Sequence, residues 1–210
     1  MKSTSEFSNM EWQVARNWSA LDLRDAIVAV DMPIGLAVSG RRMCDEAARA
    51  ALPGKASSVF PMPVRKALDF PDYAGANAWS KAHAQGGIVK QAWNLRPKIL
   101  ELEAARAADP DAPVYEAHPE LAFARLAHGP LPKKRTPGGA AARLELLERQ
   151  GLQSVRDVLK QVPKQAASAD DILDAAVLLI TAQRIAKGEA EHFPADPVKG
   201  ANGRLMMIWR

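Results

Sequence analysis

Ile27-Val28-Ala29-Val30-Asp31-Met32-Pro33-Ile34-Gly35 decides how this chain is read. A short run of apolar, mostly β-branched residues reads as a buried strand. It ends in a carboxylate and a Pro/Gly turn. A strand buried on both faces rarely tolerates a charge, so Asp31 belongs at its end, where the sheet opens to solvent. In open α/β sheets that carboxyl edge is where ligands and metals bind. Asp31 is therefore the first candidate for chemistry, against the plainer alternative of a turn residue capping its own backbone.

Working outward, Trp18 to Leu23 suits a helical turn, and Met1 to about Asn17 has no clear period and reads as a loose leader. Arg41 to Leu52 has helix composition closed by Pro53-Gly54. Ser57 to Pro63 is a loop, because Pro61 and Pro63 forbid helix. Lys81 to Gly87 reads as a turn. Ile88 to Ala107 is a helical pattern with a break at Pro97. Val114 to Ala117 is a second strand, Glu120 to Ala127 a short helix, and Lys133 to Gly139 a basic loop. Ala140 to Gln150 and Ser168 to Lys187 are helices, and Arg204 to Trp209 is a closing strand. Strands alternating with helices predict an α/β fold, with an irregular leader over 1–23 and a single domain over 24–210.

The chain has 210 residues, enough for one domain with a real core. Its 48% hydrophobic content suits a globular protein. No apolar run approaches the roughly 18 residues of a membrane span, and the start lacks the pattern of a signal peptide. Cytoplasmic is the expected location. The single cysteine, Cys44, excludes a disulfide framework and a multi-cysteine metal site; it lies in a helix-like segment and reads as packed rather than nucleophilic. A net charge of +4 permits a nucleic-acid or phosphate partner without requiring one.

Four constellations carry candidate chemistry. Asp31 is the first. The second is Tyr115-Glu116-Ala117-His118-Pro119-Glu120, where alternation sets Glu116 and His118 on one face if the strand persists. Carboxylates and an imidazole there suit a hard divalent cation or proton management, or an edge strand with a solvated face and Glu120 at a helix start. The third is Ser168 to Asp174. Ser168 with Asp171 fits a capping box, which accounts for Asp170 and Asp171 structurally. Asp174 lies one turn further in, shares a face with Asp171, and makes the pair a metal-site candidate. The fourth is the set of basic residues Arg41-Arg42, Arg65-Lys66, Lys98 and Lys133-Lys134-Arg135. Such charges are commonly solvated surface, but Lys133 to Arg135 beside Gly138-Gly139 suits a phosphate backbone. His83, His128 and His192 stand alone, and Trp79 and Trp93 are at core-like spacing.

Together these segments resemble the predicted ribonuclease-H-like nucleases catalogued as domain of unknown function 429. The resemblance rests on VAVDMPIGL (28–36), RRMCDEAAR (41–49), SSVFPMPVR (57–65), KQAWNLRPKILELE (90–103), YEAHPELAFARL (115–126), PKKRTPGG (132–139), DDILDA (170–175) and GRLMMIW (203–209). It implies a ribonuclease-H-like mixed sheet flanked by helices, with acids at one sheet edge holding Mg2+ or Mn2+ for phosphodiester cleavage. By position it makes Asp31, Glu116 and Asp174 catalytic and places Asp31, Glu116, Asp171 and Asp174 around metal. His118, Glu120, Lys133, Lys134 and Arg65 would contact substrate, either nucleic acid or a small phosphate ester. Such relatives usually open with a further strand bearing an Asp in a Gly-rich setting. No such pattern lies within the 26 residues before Ile27, so the resemblance implies either a start that is missing or misassigned or an N-terminally truncated member. The expectation is then that the leader, or a second chain in a dimer, covers the exposed strand edge. The implied function is a metal-dependent nuclease or phosphodiesterase. The alternatives are a non-catalytic nucleic-acid- or protein-binding descendant, and a hydrolase or transferase acting on a small phosphorylated molecule.

Overall fold

Strand β1 (Val28–Val30) lies parallel to β2 (Val114–Glu116), with Val28 opposite Val114 and Val30 opposite Glu116. The computed structural model describes residue 7 and residues 10–210; the rest of the expected leader lies outside the described residues. A parallel bridge from Ala117 to Trp209 joins β2 to the closing hairpin, β3 (His192–Lys199) with antiparallel β4 (Leu205–Trp209). Eight α-helices surround these strands among the described residues. They are α1 (Met43–Ala50), α2 (Tyr73–Ala82), α3 (Lys90–Asn94), α4 (Arg96–Ala108), α5 (Pro119–Leu126), α6 (Pro137–Arg149), α7 (Val155–Gln161) and α8 (Ala169–Ala186). The architecture is mixed α/β with small parallel and antiparallel sheets.

Strand alternation sorts the core into two sides. Val28, Val30 and Val114 pack with Ile34, Leu102 of α4 and Trp18. Ala29 and Ala117 turn the other way, onto α5 and α8 through Phe123, Leu173 and Val177. Asp31 follows Ala29 by two positions, so alternation directs it to the α8 side. Gly35 holds φ near +79° directly after this turn, and a Cβ there would stand 3.1 Å from Met206 Cγ. Glycine meets both demands at no steric cost.

The break expected at Pro97 separates α3 from α4, and the expected helix at Trp18 is a single 3-10 turn, Trp18–Ala20. The basic loop is shorter than the sequence suggests. Thr136 caps α6 by accepting from the Gly139 N–H, so Pro137, Gly138 and Gly139 form its first turn. Proline suits that position because its missing N–H is one a helix start leaves unpaired anyway. The leader is tied to α4, with Lys98 Nζ donating to the Arg16 carbonyl (2.7 Å) and the Trp18 N–H to Glu101. Its described residues share with Val30 and Met32 a cavity of about 310 Å3 and form no strand pair with β1. No helix among the described residues is long and apolar enough to cross a membrane.

Candidate functional site

The carboxyl end of β1, the start of α5, the basic loop and the first turns of α8 enclose a cleft of about 490 Å3. Asp31, His118, Asp174, Lys133 and Lys134 line it, with Lys55 and Glu120 at its base. Asp31 makes no hydrogen bond among the described residues. Its surface opens to the cleft, yet its carboxyl is closely surrounded by protein. That desolvation raises its pKa above the ordinary carboxylate value; His118 and Lys134 pull it down, while Asp174 pushes it up further. Asp174 is also raised by burial, against its ion pair with Lys134 at 2.9 Å. Burial works to lower the Lys134 ammonium, but its bond to Asp174 wins and holds it above the usual value.

His118 caps α5 with extended backbone. Its Nε2 lies 3.2 Å from the Ser58 carbonyl oxygen, which only accepts, so the proton sits on Nε2. Nδ1 is buried without a partner.

Glu120 is a tether. Its carboxylate accepts from Lys55 Nζ (2.8 Å) and Arg143 Nη2 (2.5 Å). Burial raises its pKa, but the two cations win and hold it below the usual range. Lys55 and Arg143 also donate to the Pro132 carbonyl, which fastens the basic loop against α5 and α6. Neither residue stands out in the sequence, since each is brought to Glu120 by tertiary folding.

The expected acid set separates. Glu116 takes the opposite alternation from Tyr115 and Ala117, and Arg42 claims it there at 2.5 and 3.1 Å, while its Oε2 also accepts from the Ile34 N–H at 2.7 Å. It lines a smaller neighbouring cavity of about 170 Å3, with Asp31 and His118, rather than the main cleft. Arg42 is thus no surface cation; only 1% of it is exposed, and it also binds Asp45 at 2.7 Å. Among the described residues, the trio whose ligand atoms approach within 4.8 Å of one another is Cys44, Asp45 and Glu116. The Arg42 guanidinium already supplies the positive charge there, so the trio does not suit a cation. Cys44 is buried, and burial pushes its thiol pKa up.

Asp171 belongs to helix capping. Its Oδ2 accepts from the Ser168 N–H and hydroxyl, and the residue lines a different groove, beside the leader. Arg65 is held by Asp69 and Glu103 at 2.7 and 2.9 Å and does not line the cleft. Trp79 stacks on His83 and packs against the core. The cleft therefore brings together Asp31, Asp174, His118, Glu120, Lys133 and Lys134, and leaves Glu116, Asp171 and Arg65 outside.

The loop's position has a test in Gly139, where an added Cβ would stand 2.0 Å from the Lys133 carbonyl oxygen. Alanine would gain about 1 kcal/mol of helix propensity over glycine. Overpacking against backbone costs about 1–3 kcal/mol, and a 2.0 Å contact lies at the severe end. Gly139→Ala is expected to lower stability in urea titration and to displace Lys133 and Lys134. A stabilised variant would show that the loop yields freely.

An α/β protein with unpaired acid at the carboxyl end of a parallel strand, rimmed by lysines, is the class that fold and cleft define. The chain belongs to the DUF429 family, proteins of unknown function, whose pattern matches residues 8–199. No curated protein and no solved structure matches the chain.

Proposed function

We propose that the protein is a divalent-cation-dependent phosphodiester hydrolase of ribonuclease-H-like type. The observation that carries this reading is Asp31, a carboxylate open to the cleft and without a hydrogen-bond partner, sharing a lysine-rimmed cleft with Asp174. A crowded anion with an acidic neighbour favours a bound cation. Asp31 and Asp174 would hold Mg2+ or Mn2+, Lys134 giving up its bond to Asp174. Glu116 does not fit the ligand set, because Arg42 and Ile34 already occupy its oxygens.

The cation, when bound, supplies an acidified water and charge for the leaving oxygen. The chain's own groups do the rest. Lys133 and Arg135 are exposed at the rim and attract phosphate. His118, held through Nε2, presents Nδ1 as the nitrogen free to accept a proton. Glu116 acts as a positioning residue, because it grips the Ile34 N–H in the turn that follows Asp31.

The test is hydrolysis of bis(p-nitrophenyl) phosphate and of single-stranded DNA and RNA oligonucleotides, with Mg2+, Mn2+ or EDTA. Cation-dependent cleavage of any one supports the reading, and the preferred substrate identifies the class. Because both carboxyl pKa values are raised in the metal-free protein, protons compete with the cation there, and the acid limb of the rate profile should move to lower pH as the cation concentration rises. A limb that stays fixed as the cation concentration is varied would remove Asp31 and Asp174 from cation binding. The Lys134–Asp174 ion pair favours a second reading, in which lysine serves as the resident cation and the cleft binds without cutting. Oligonucleotide binding in EDTA, with no cleavage under any metal, would select it.

A further inference from the structure

A second cavity, of about 550 Å3, meets the acidic cleft at Lys55 and Glu120 but has a different character. Arg125, from the last turn of α5, Arg184, from the last turn of α8, and the C-terminal residue Arg210 all line it. The charges around it do not balance. Glu191 pairs with both Arg125 and Arg210, the latter at 2.7 Å. Glu120 is shared by Lys55 and Arg143. Glu189 acts on Arg184 by its charge, and its carbonyl takes one Arg184 nitrogen at 2.7 Å. Five side-chain cations thus stand against three side-chain carboxylates, and the terminal carboxylate of Arg210 still leaves positive charge in excess.

Arg184 carries the surplus. Its Nε is buried without a partner. Burial, then repulsion from Arg125 and Arg210, lowers its pKa despite Glu189 and Glu191. An arginine in the last turn of a helix is ordinary, because the helix dipole favours it. Three guanidinium groups around one shared carboxylate are not explained by that. Each guanidinium offers a rigid fork of donors that matches phosphate. Excess positive charge on forked donors suits a phosphate, and the volume is that of a small-molecule site.

We propose that the Arg125–Arg184–Arg210 cavity binds a phosphate dianion, carried by a small phosphomonoester of mononucleotide size or present as free phosphate. This site is separate from the proposed hydrolytic cleft and needs neither a divalent cation nor Asp31. It is tested in EDTA, at ionic strength fixed with NaCl, by calorimetry and thermal shift with inorganic phosphate, adenosine 5′-monophosphate and adenosine.

Saturable binding of phosphate or the monophosphate, and none of adenosine, is expected. Tighter binding of the nucleotide identifies an ester as ligand; equal binding identifies the free anion. Arg184→Gln should weaken binding by about 10-fold or more, the scale of a lost charge-assisted hydrogen bond. Lys133→Gln and Asp31→Asn, both in the other cleft, should leave it unchanged. Arg125→Gln serves if Arg184→Gln does not fold. The proposal is overturned if millimolar phosphate and nucleotide both fail to bind. It is equally overturned if binding survives Arg184→Gln but is lost in Lys133→Gln, or if adenosine binds as well as its monophosphate.

Discussion

Arg42→Met is expected to destabilise the protein by about 3–5 kcal/mol, the cost of stranding buried charge when one partner of an ion pair is removed. Arg42 contacts Glu116 through two nitrogens and Asp45 through one, with all three side chains almost fully buried. The same carboxylates hold backbone. Glu116 accepts from the Ile34 N–H at 2.7 Å and Asp45 from the Met62 N–H at 2.9 Å. The guanidinium therefore joins the turn after β1, the start of α1 and the loop before the Arg65–Asp69 3-10 helix. Methionine fills much of the volume but leaves two buried acids without a cation. Against a typical domain stability of about 5–15 kcal/mol, this is a large share.

The pH dependence of that loss has a definite sign. Burial raises the Glu116 carboxyl to about 7 even against the pull of Arg42. Without Arg42 the opposing pull is gone, and the carboxyl rises further. A carboxyl whose folded pKa exceeds its unfolded value stabilises most at low pH and loses that contribution as pH rises through the folded value. The difference between Arg42→Met and the parent should therefore be larger at pH 8 than at pH 5, read from urea titrations at both. Arg42→Lys keeps the charge but not the fork and should recover only part of the loss. A variant within 1 kcal/mol of the parent at pH 8 would mean the trio is not a structural joint.

Arg42 also marks a limit of what the chain discloses by itself. Beside Arg41 it reads as a surface pair, and nothing local separates the exposed arginine from the buried one. The β1 motif was legible because a strand end, a carboxylate and a Pro/Gly turn are all local. The Ser168–Asp171 capping box was legible for the same reason. The registry of Glu116 was not, because it needs the pairing of Val30 with Glu116 across 86 positions of sequence. Once that register is known, alternation separates Glu116 from the Ala29 and Asp31 side. Lys55 and Arg143 escaped notice because their partner, Glu120, is distant in sequence. β3 escaped because Pro194 and Pro197 contradict a strand pattern, and the structure accommodates them with a register shift between Phe193 and Val198. The helices α2 and α7 carry weak signals: α2 contains Gly75, and α7 spans 7 residues.

Asp31→Asn should stop cleavage and, in EDTA, raise the melting temperature. The catalytic loss follows from charge. If the cation contributes several kcal/mol of transition-state stabilisation, a ligand that no longer attracts it forfeits on the order of 10^3-fold in rate, at about 1.4 kcal/mol per tenfold. The gain in stability follows from the same crowding. The folded pKa of Asp31 is raised, so its contribution to stability is fully present below the unfolded value near 3.8 and is lost as pH rises through the folded value. At neutral pH the ionised group is a cost to folding, and asparagine removes it. The melting difference between variant and parent should shrink toward pH 3, where the parent's Asp31 is also neutral. Mn2+ should close the gap from the other direction, raising the parent's melting temperature by binding the folded state and leaving Asp31→Asn nearly unmoved. This melting readout does not depend on finding the substrate. If Asp31→Asn melts below the parent in EDTA at pH 7, Asp31 supports the fold rather than straining it. If Mn2+ stabilises both proteins equally, the cation does not sit at Asp31. Cleavage lost while the melting temperature rises is the pattern of a carboxylate kept for chemistry at some expense to folding.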